Sequence, residues 1–217
     1  MLHPHHSAHD RRDEATIARQ RAVVTVDMRG KTVLDVGCGD GWNFAYPEFS
    51  DARALSGVDI DSAAIARARA DFPTATFAVA VAESLPFPAA SHDVVIAKAS
   101  LPYTEIRLAL REMRRVLKPG GQLYLTMHDW RMQLGWFRGD IADHSLPRII
   151  DHGYIVLASA IFALTGHVPT RPWNGTRQTF QTQQRLRREL QRAGFTEVNM
   201  QRTERHLIVT AICGMPH

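Results

Sequence analysis

The chain has 217 residues, of which 45% are hydrophobic and 22% charged. A soluble globular domain has these proportions, and a chain of this length can bury a core without disulfide bonds. Only two cysteines occur, Cys38 and Cys213, which excludes a disulfide framework and a multi-cysteine zinc site and favours a cytoplasmic location. The net charge is only +4 and acidic residues are interspersed, so the balance disfavours a nucleic-acid partner.

The first 12 residues are polar and contain four histidines. We expect a disordered tail there rather than a metal site or a secretory signal, and a single domain over residues 13–217. The longest apolar run, from Tyr154 to Leu164, is about half of the roughly 20 residues that a membrane helix needs. We therefore expect no membrane span.

Strand and helix patterns then alternate. The patterns predict a helix over 13–28 that Gly30 ends, a helix capped by Asp61, and a helix over 104–117 that stops at the Lys-Pro-Gly-Gly of 118–121. Between them lie five predicted strands, at 32–37, 52–60, 74–80, 92–99 and 122–128. This alternation is typical of a parallel sheet with helices on both faces and right-handed crossovers.

The alternation stops over 129–179, a stretch rich in Trp, Gly, Pro and His. A structureless loop of that length is improbable, so we expect a helical insertion that forms a lid. A helix over 182–193, stopped by Gly194, and two antiparallel strands at 195–203 and 205–213 complete the chain. The predicted fold is α/β, with a doubly wound, mostly parallel, seven-stranded sheet and a C-terminal antiparallel hairpin.

The strongest functional signal is the glycine loop after the first strand. Gly37, Gly39 and Gly41 allow a tight turn and a close approach of a ligand, and a helix N-terminus is expected to follow. Asp59 is predicted at the carboxyl end of the second strand, where a carboxylate can accept both hydroxyls of a ribose. The pair indicates a ribose-bearing cofactor.

The spacing of the loop selects among such cofactors. A dinucleotide requires G-x-G-x-x-G, whereas this loop reads G-x-G-x-G and contains Asp40, which would repel a pyrophosphate. A cationic sulfonium with an amino-acid end suits the loop better.

Five stretches carry a family resemblance: VLDVGCGDG (33–41), GVDID (57–61), AESLPFPAASHDVV (82–95), LREMRRVLKPGGQLYLT (110–126) and GFTEV (194–198). In their order and spacing the chain resembles the Rossmann-like, S-adenosylmethionine (SAM)-dependent methyltransferases. It is most similar to the small-molecule group that includes the ubiquinone and menaquinone methyltransferases. The resemblance implies SAM as the cofactor and S-adenosylhomocysteine as its product.

The resemblance also implies roles for individual residues. Asp35 and the backbone of the loop would hold the methionine part, Asp59 the ribose, and Ile60 the adenine face. Two differences stand out, because Val81 replaces a usual acid and Lys98 is unusual near a cation. The full set of expected cofactor contacts is Asp35, Gly37, Cys38, Gly39, Gly41, Asp59, Ile60, Ala82, Glu83, Lys98 and Ala99.

Methyl transfer needs a general base only if the acceptor must lose a proton. His128, oriented by Asp129, is one candidate catalytic residue, as a base. Tyr103 is the other, after the fourth strand, where the resembling family often places a cofactor or substrate contact. Each has a structural alternative, as a strand-end histidine and as packing over the pocket. His144 and His152 are more typical of lid residues. Four aromatic residues would line an acceptor pocket or form the insertion's own core: Trp130, Trp136, Phe137 and Trp173.

Three functions compete on this evidence. The leading interpretation is methylation of a small, apolar or aromatic molecule that the insertion recognises. An RNA methyltransferase is disfavoured because the fourth strand is not followed by an Asn-Pro-Pro-Tyr type motif. A catalytically silent SAM-binding interaction protein is the alternative from another class. The apolar run in the insertion would serve equally well as a homodimer interface.

Overall fold

Seven strands form one sheet in the computed structural model, which describes residues 24–128, 138–139, 141, 143–203 and 206–215. The strand order is β3-β2-β1-β4-β5-β7-β6. The strands are β1 (Thr32–Val36), β2 (Ala54–Asp59), β3 (Thr76–Val79), β4 (His92–Lys98), β5 (Leu117–His128), β6 (Phe195–Arg202) and β7 (His206–Cys213).

The strand order reverses between β1 and β4. The first five strands are parallel to one another, whereas β7 is antiparallel to both β5 and β6. This confirms the predicted doubly wound, Rossmann-like sheet with a C-terminal hairpin. Ligands in such sheets bind outside the carboxyl ends of the strands at the reversal, so the ends of β1, β2 and β4 define the edge to examine.

Four α-helices accompany the sheet in the described residues: α1 (Ser62–Asp71), α2 (Ile106–Val116), α3 (Leu146–Thr165) and α4 (Gln183–Arg192). The predicted cap of α1 is confirmed, because the Asp61 side chain accepts hydrogen bonds from the amides of Ala63 and Ala64. Gly166, in the left-handed conformation, ends α3.

The core lies on both faces of the sheet. Along β4, Val95 and Ala97 point to a core that also contains residues of α2, α3 and α4, whereas Val94 and Ile96 point to a core shared with α1. All four side chains are fully buried. A strand enclosed on both faces reads as a continuous apolar run, as β4 does.

Three local predictions were wrong. Two short 3-10 helices, Trp42–Ala45 and Pro47–Phe49, follow the glycine loop in place of an α-helix. Pro47 forces Tyr46 into an extended conformation, which ends the first helical turn.

Residues 24–28 are not helical, and the rest of the predicted 13–28 helix and the histidine-rich tail lie outside the described residues. The third wrong prediction concerns the helix over 104–117 and the strand over 122–128. Strand β5 instead begins at Leu117, and a register shift against β4 accommodates the Pro-Gly-Gly segment.

The insertion contains a helix that extends well beyond the apolar run from Tyr154 to Leu164. Helix α3 has 20 residues, and by length and composition alone it is apolar enough to cross a membrane, with a mean hydropathy of 1.3. Its Ile155, Ala158 and Phe162 are nevertheless packed in the protein. Trp130, Trp136 and Phe137, which were expected to line a pocket or to form the insertion's own core, lie outside the described residues.

Candidate functional site

The glycine loop lies where β1 ends, and each glycine has a positive φ. A β-carbon on Gly37 would collide with the side chain of Ser100, and one on Gly41 would press on the rings of Phe72 and Phe77 at 3.1–3.3 Å. Among the described residues, no atom lies within 4 Å of the corresponding position on Gly39. The outer glycines are therefore required by packing, whereas Gly39 borders open space that a ligand can enter.

Several backbone N–H groups of the loop already have partners within the protein. Those of Gly37 and Cys38 donate to the carbonyl of Val58 at 2.8 and 3.0 Å, and that of Gly39 donates to Oδ2 of Asp59 at 2.8 Å. The predicted N-terminus of an α-helix is replaced by that of the short 3-10 helix Trp42–Ala45, which has no side-chain cap. The loop offers a ligand close approach at Gly39.

Asp59 lies directly beside the open space. Its Oδ2 accepts from Gly39 and its Oδ1 accepts from the amide of Asp61 at 3.0 Å, so the carboxylate is fixed in orientation. A carboxylate has about four acceptor positions, so both oxygens retain capacity for the hydroxyls of a diol.

An apolar rim surrounds Asp59. Ile60 is 67% exposed, Val79 pairs with Asp59 in the sheet register, and Val81 follows two residues later. Val79 and Val81 are also about half exposed. An acid at position 81 would interrupt this surface, whereas valine extends it, so the rim is suited to the flat face of a purine.

The remaining predicted contacts on this side have structural partners. Ala82 is buried in the core. The Glu83 carboxylate accepts from the amide of Glu105 at 2.6 Å, just before α2. This hydrogen bond occupies one oxygen of the carboxylate. That Ala82 and Glu83 flank the edge of an adenine, as the family resemblance implies, stays a prediction.

Asp35 is a fully buried carboxylate at the end of β1. Its Oδ2 accepts from the Asn43 amide at 2.7 Å, and Oδ1 has no hydrogen-bond partner among the described residues. Lys98 donates to the other side of the Asn43 amide at 3.0 Å. Burial raises the pKa of Asp35 to about 6, although the Asn43 hydrogen bond and the charge of Lys98 lower it in part.

This arrangement tests whether the site fits a SAM-like cofactor. An unpartnered oxygen on a buried carboxylate is costly, and a cationic donor would relieve the cost. The open space over Gly39 and the diol-accepting Asp59 lie on the same loop. The residues present therefore fit a ligand that has an ammonium group, a ribose and a purine.

Cys38 contributes only its backbone to this site. Burial, with Asp35 and Asp59 nearby, raises the pKa of its thiol well above the usual value. The thiol is 2.7 Å from where a β-carbon on Gly57 would lie, so that glycine makes room for it. A protonated, packed thiol is not a nucleophile.

The end of β4 closes the other side of the site. Ala99 has a φ of 58° and donates its amide to Thr126, and the Ser100 hydroxyl donates to the carbonyl of Val36 at 2.6 Å. A non-glycine residue in the left-handed region is strained and marks a position that its surroundings hold firmly. These contacts fix the β1 and β4 ends against each other. Tyr103, about half exposed, lies on the short 3-10 helix that follows.

The candidate bases remain predictions. His128 is the last residue of β5 and pairs in register with His206, while Asp129 lies outside the described residues. His144 precedes α3, His152 lies on it, and Trp173 packs edge-on against Tyr154 with ring centroids 5.1 Å apart. Sequence reasoning missed Asn43, because no pattern indicates that an amide after the loop joins Asp35 to Lys98.

Comparisons with known proteins agree with this geometry. Residues 34–125 match a family described as a methyltransferase domain. The phthiotriol/phenolphthiotriol dimycocerosates methyltransferase of Mycobacterium tuberculosis H37Rv is 38% identical over 105 residues, 46% of this chain and 39% of that protein. A fatty-acid O-methyltransferase of Mycolicibacterium smegmatis is 36% identical over 127 residues, 57% of this chain and 46% of that protein.

A solved structure extends the likeness to the fold. The S-adenosylmethionine-dependent methyltransferase from Mesorhizobium loti covers 86% of this chain, and 93% of its own chain is covered, with a TM-score of 0.58 at 18% identity. Residues 34–125, which run from β1 to β5, thus match a methyltransferase domain, and the chain shares the Rossmann-like fold of this solved structure. The matched region spans less than half the length of the two curated relatives.

Proposed function

We propose that this protein transfers a methyl group from SAM to a small, apolar, lipid-like acceptor. The observation that carries the proposal is the fixed Asp59 carboxylate beside the open space over Gly39, at the edge where the strand order reverses. The methyltransferase domain over residues 34–125 supports the reaction type.

Different residues of the site bind different parts of the cofactor. When bound, the cofactor supplies an electrophilic methyl group on a positively charged sulfur. Asp35 holds the ammonium end, Asp59 accepts from the ribose hydroxyls, and the rim of Ile60 and Val81 packs on the adenine. The unpartnered Oδ1 of Asp35 and the exposed rim support these assignments.

The protein's contribution to the rate is mainly positional. Holding both reactants in line removes much of the entropic barrier to displacement at carbon. His128 takes a proton only if the acceptor atom must lose one, as a hydroxyl or a C–H carbon does; an ionised carboxylate or a thioether needs no base. Burial raises the pKa of Tyr103, so its phenol suits a contact rather than a base.

The acceptor class follows from two observations. The two curated relatives are named for lipid substrates, dimycocerosates and fatty acids. The insertion of this chain carries the apolar helix α3, which suits an acceptor with a hydrocarbon part.

Transfer of a labelled methyl group tests the function. The protein is incubated with SAM labelled on the methyl group and a cell extract divided into lipid, polar small-molecule and RNA fractions. We expect label in the lipid fraction. Asp59→Ala should reduce SAM affinity by roughly 2–3 kcal/mol, because two charge-assisted hydrogen bonds are lost. Label in RNA alone, or no transfer despite SAM binding, would contradict the proposal.

A further inference from the structure

Helix α3 has an apolar face that the described part of the protein leaves uncovered. Five large apolar side chains are exposed on it: Leu146, Ile150, Val156, Leu157 and Leu164. At about 100° per residue they fall within roughly a third of the helix circumference, opposite the buried Ile155, Ala158 and Phe162. A contiguous exposed face of this size is uncommon on a soluble monomer and marks an interaction surface.

The charged residues of α3 lie away from this face. By helical position, Arg148 and Asp151 lie on the side of α3 opposite this face, and Arg148 is exposed near the N-terminal end of the helix. Asp151 pairs with the buried Arg171, with an O···N distance of 3.3 Å. The exposed face therefore carries no charge.

The width of the face distinguishes two kinds of partner. A helix that pairs with a second copy presents a narrow seam flanked by charged side chains. Here the positions that flank the line from Leu146 to Leu164 include Ile149 and Ile161, which are also apolar. A wide, uncharged face suits a lipid surface, in which a helix lies with its apolar side among the acyl chains.

Arginines adjoin the C-terminal end of the same helix. The carbonyl of Thr165 accepts from Arg107 at 2.8 Å. Arg107, Arg111 and Arg192 line a groove of about 220 Å³ together with Glu189. Glu189 is buried and pairs with Arg107, Arg185 and Arg192, so one carboxylate faces several guanidinium groups. The groove keeps a net positive charge.

From these two independent features we propose that α3 and the adjoining arginine groove dock the protein on an anionic lipid bilayer. The apolar face of α3 enters the acyl boundary, and Arg111 and Arg192 attract the headgroup phosphates. The helix lies on the bilayer rather than across it, because Ile155, Ala158 and Phe162 anchor one side of it in the protein core. Docking of this kind goes beyond methyl transfer and brings the site close to lipid-soluble molecules.

Vesicle sedimentation tests the proposal without any turnover. The full-length protein is mixed with vesicles of phosphatidylcholine alone, or with about 30% phosphatidylglycerol added. We expect partition into the anionic vesicles and about tenfold weaker partition into the neutral ones. Leu157→Glu with Leu164→Glu should weaken partition by at least about tenfold, whereas methionine at both positions should preserve it.

The charge contribution has its own matched control. Arg111→Gln with Arg192→Gln should weaken partition into anionic vesicles by about tenfold and leave partition into neutral ones unchanged. Arg67→Gln, an exposed arginine on α1 across the sheet, should change neither. Circular dichroism confirms that each variant is folded.

Three outcomes would overturn the docking proposal. The first is equal partition of the glutamate variant and the wild type, and the second is a dimer in light scattering that the glutamate variant disrupts while neither protein binds vesicles. Either of these outcomes would exclude a lipid bilayer as the partner of this face. The third is release from vesicles only by detergent, which would indicate that α3 spans the bilayer. None of them bears on SAM binding or labelled methyl transfer, so failure of docking and failure of the proposed function are distinguishable.

Discussion

The buried carboxylate of Asp35 lowers the stability of the fold and serves the binding of the cofactor. A carboxylate with no exposed surface is expensive to ionise, and here only one of its oxygens has a hydrogen-bond donor. Its pKa of about 6 lies above the ordinary value of 3.8, because burial opposes the charge. The folded state therefore favours protonated Asp35 between these values, and the fold becomes less stable as the pH rises from about 4 to 6.

Asp35→Asn should therefore stabilise the protein at pH 7 and weaken its binding of SAM. A shift of about two pKa units corresponds to roughly 3 kcal/mol, and the gain should shrink toward zero below about pH 4, where both the folded and the unfolded state become protonated. Urea denaturation at several pH values measures the gain, with Asp71→Asn at an exposed site as the control. A variant that is less stable than the wild type at pH 7 would show that ionised Asp35 is not strained.

The same titration predicts the pH dependence of binding. A protonated Asp35 offers no negative charge to an ammonium group, so the SAM affinity of the wild type should fall as the pH drops below about 6. Calorimetric titrations at pH 5 and 7.5 measure this change. An Asp35→Asn protein that retained the same pH dependence would assign it to another group.

Individual residues differed in how far the sequence could identify them. Asp59 was predictable because its place after a strand and a glycine loop fixes its position at one edge of the sheet. Asn43 was not, because its contact with Asp35 depends on the short 3-10 helix that replaced the expected α-helix. The sequence could indicate the carboxylates but not the amide between them.

At the scale of elements, the strands were the most predictable part. Their β-branched, continuous apolar runs match burial on both faces, as in β4. The α-helix predicted after the glycine loop does not form. Pro47 holds Tyr46 in an extended conformation, so the backbone cannot continue as a helix there.

The amino ends of β1 and β4 are joined by Asp93, far from the ligand edge. Asp93 accepts from Lys118 at 2.7 Å and from the Thr32 hydroxyl at 2.6 Å. Partial burial alone would raise its pKa, but these hydrogen bonds outweigh burial and lower the pKa well below the usual range. The contribution to stability is thus present above pH 4 and lost as the pH falls below it.

Asp93→Asn should destabilise the protein by roughly 1–3 kcal/mol at pH 7, because charge-assisted hydrogen bonds are lost. SAM affinity should not change, since the residue lies at the opposite end of the strands. Thermal unfolding followed by calorimetric titration of the folded variant checks both parts. A loss of affinity without a loss of stability would contradict this division of the sheet.

For the whole molecule, the reversal of strand order between β1 and β4 determines where the site lies. The alternation of strands and helices in the sequence predicted a doubly wound sheet, which contains such a reversal, but it did not identify the two strands that flank it. The insertion was not predictable in the same way, because the lengths of its helices depend on packing that has no sheet register to fix it. Its exposed apolar face and the arginines beside it became evident only from the structure.

The central claim is that the Gly39 and Asp59 edge holds SAM. Calorimetric titration of the purified protein with SAM and, separately, with a nicotinamide dinucleotide tests it most directly. We predict SAM binding near or below about 10 µM, which is about −7 kcal/mol or tighter, and no dinucleotide binding. In Gly39→Val the SAM binding should disappear, because the side chain fills the open space over the loop. Tight dinucleotide binding without SAM binding, or unchanged SAM affinity in the folded Gly39→Val protein, would contradict the account.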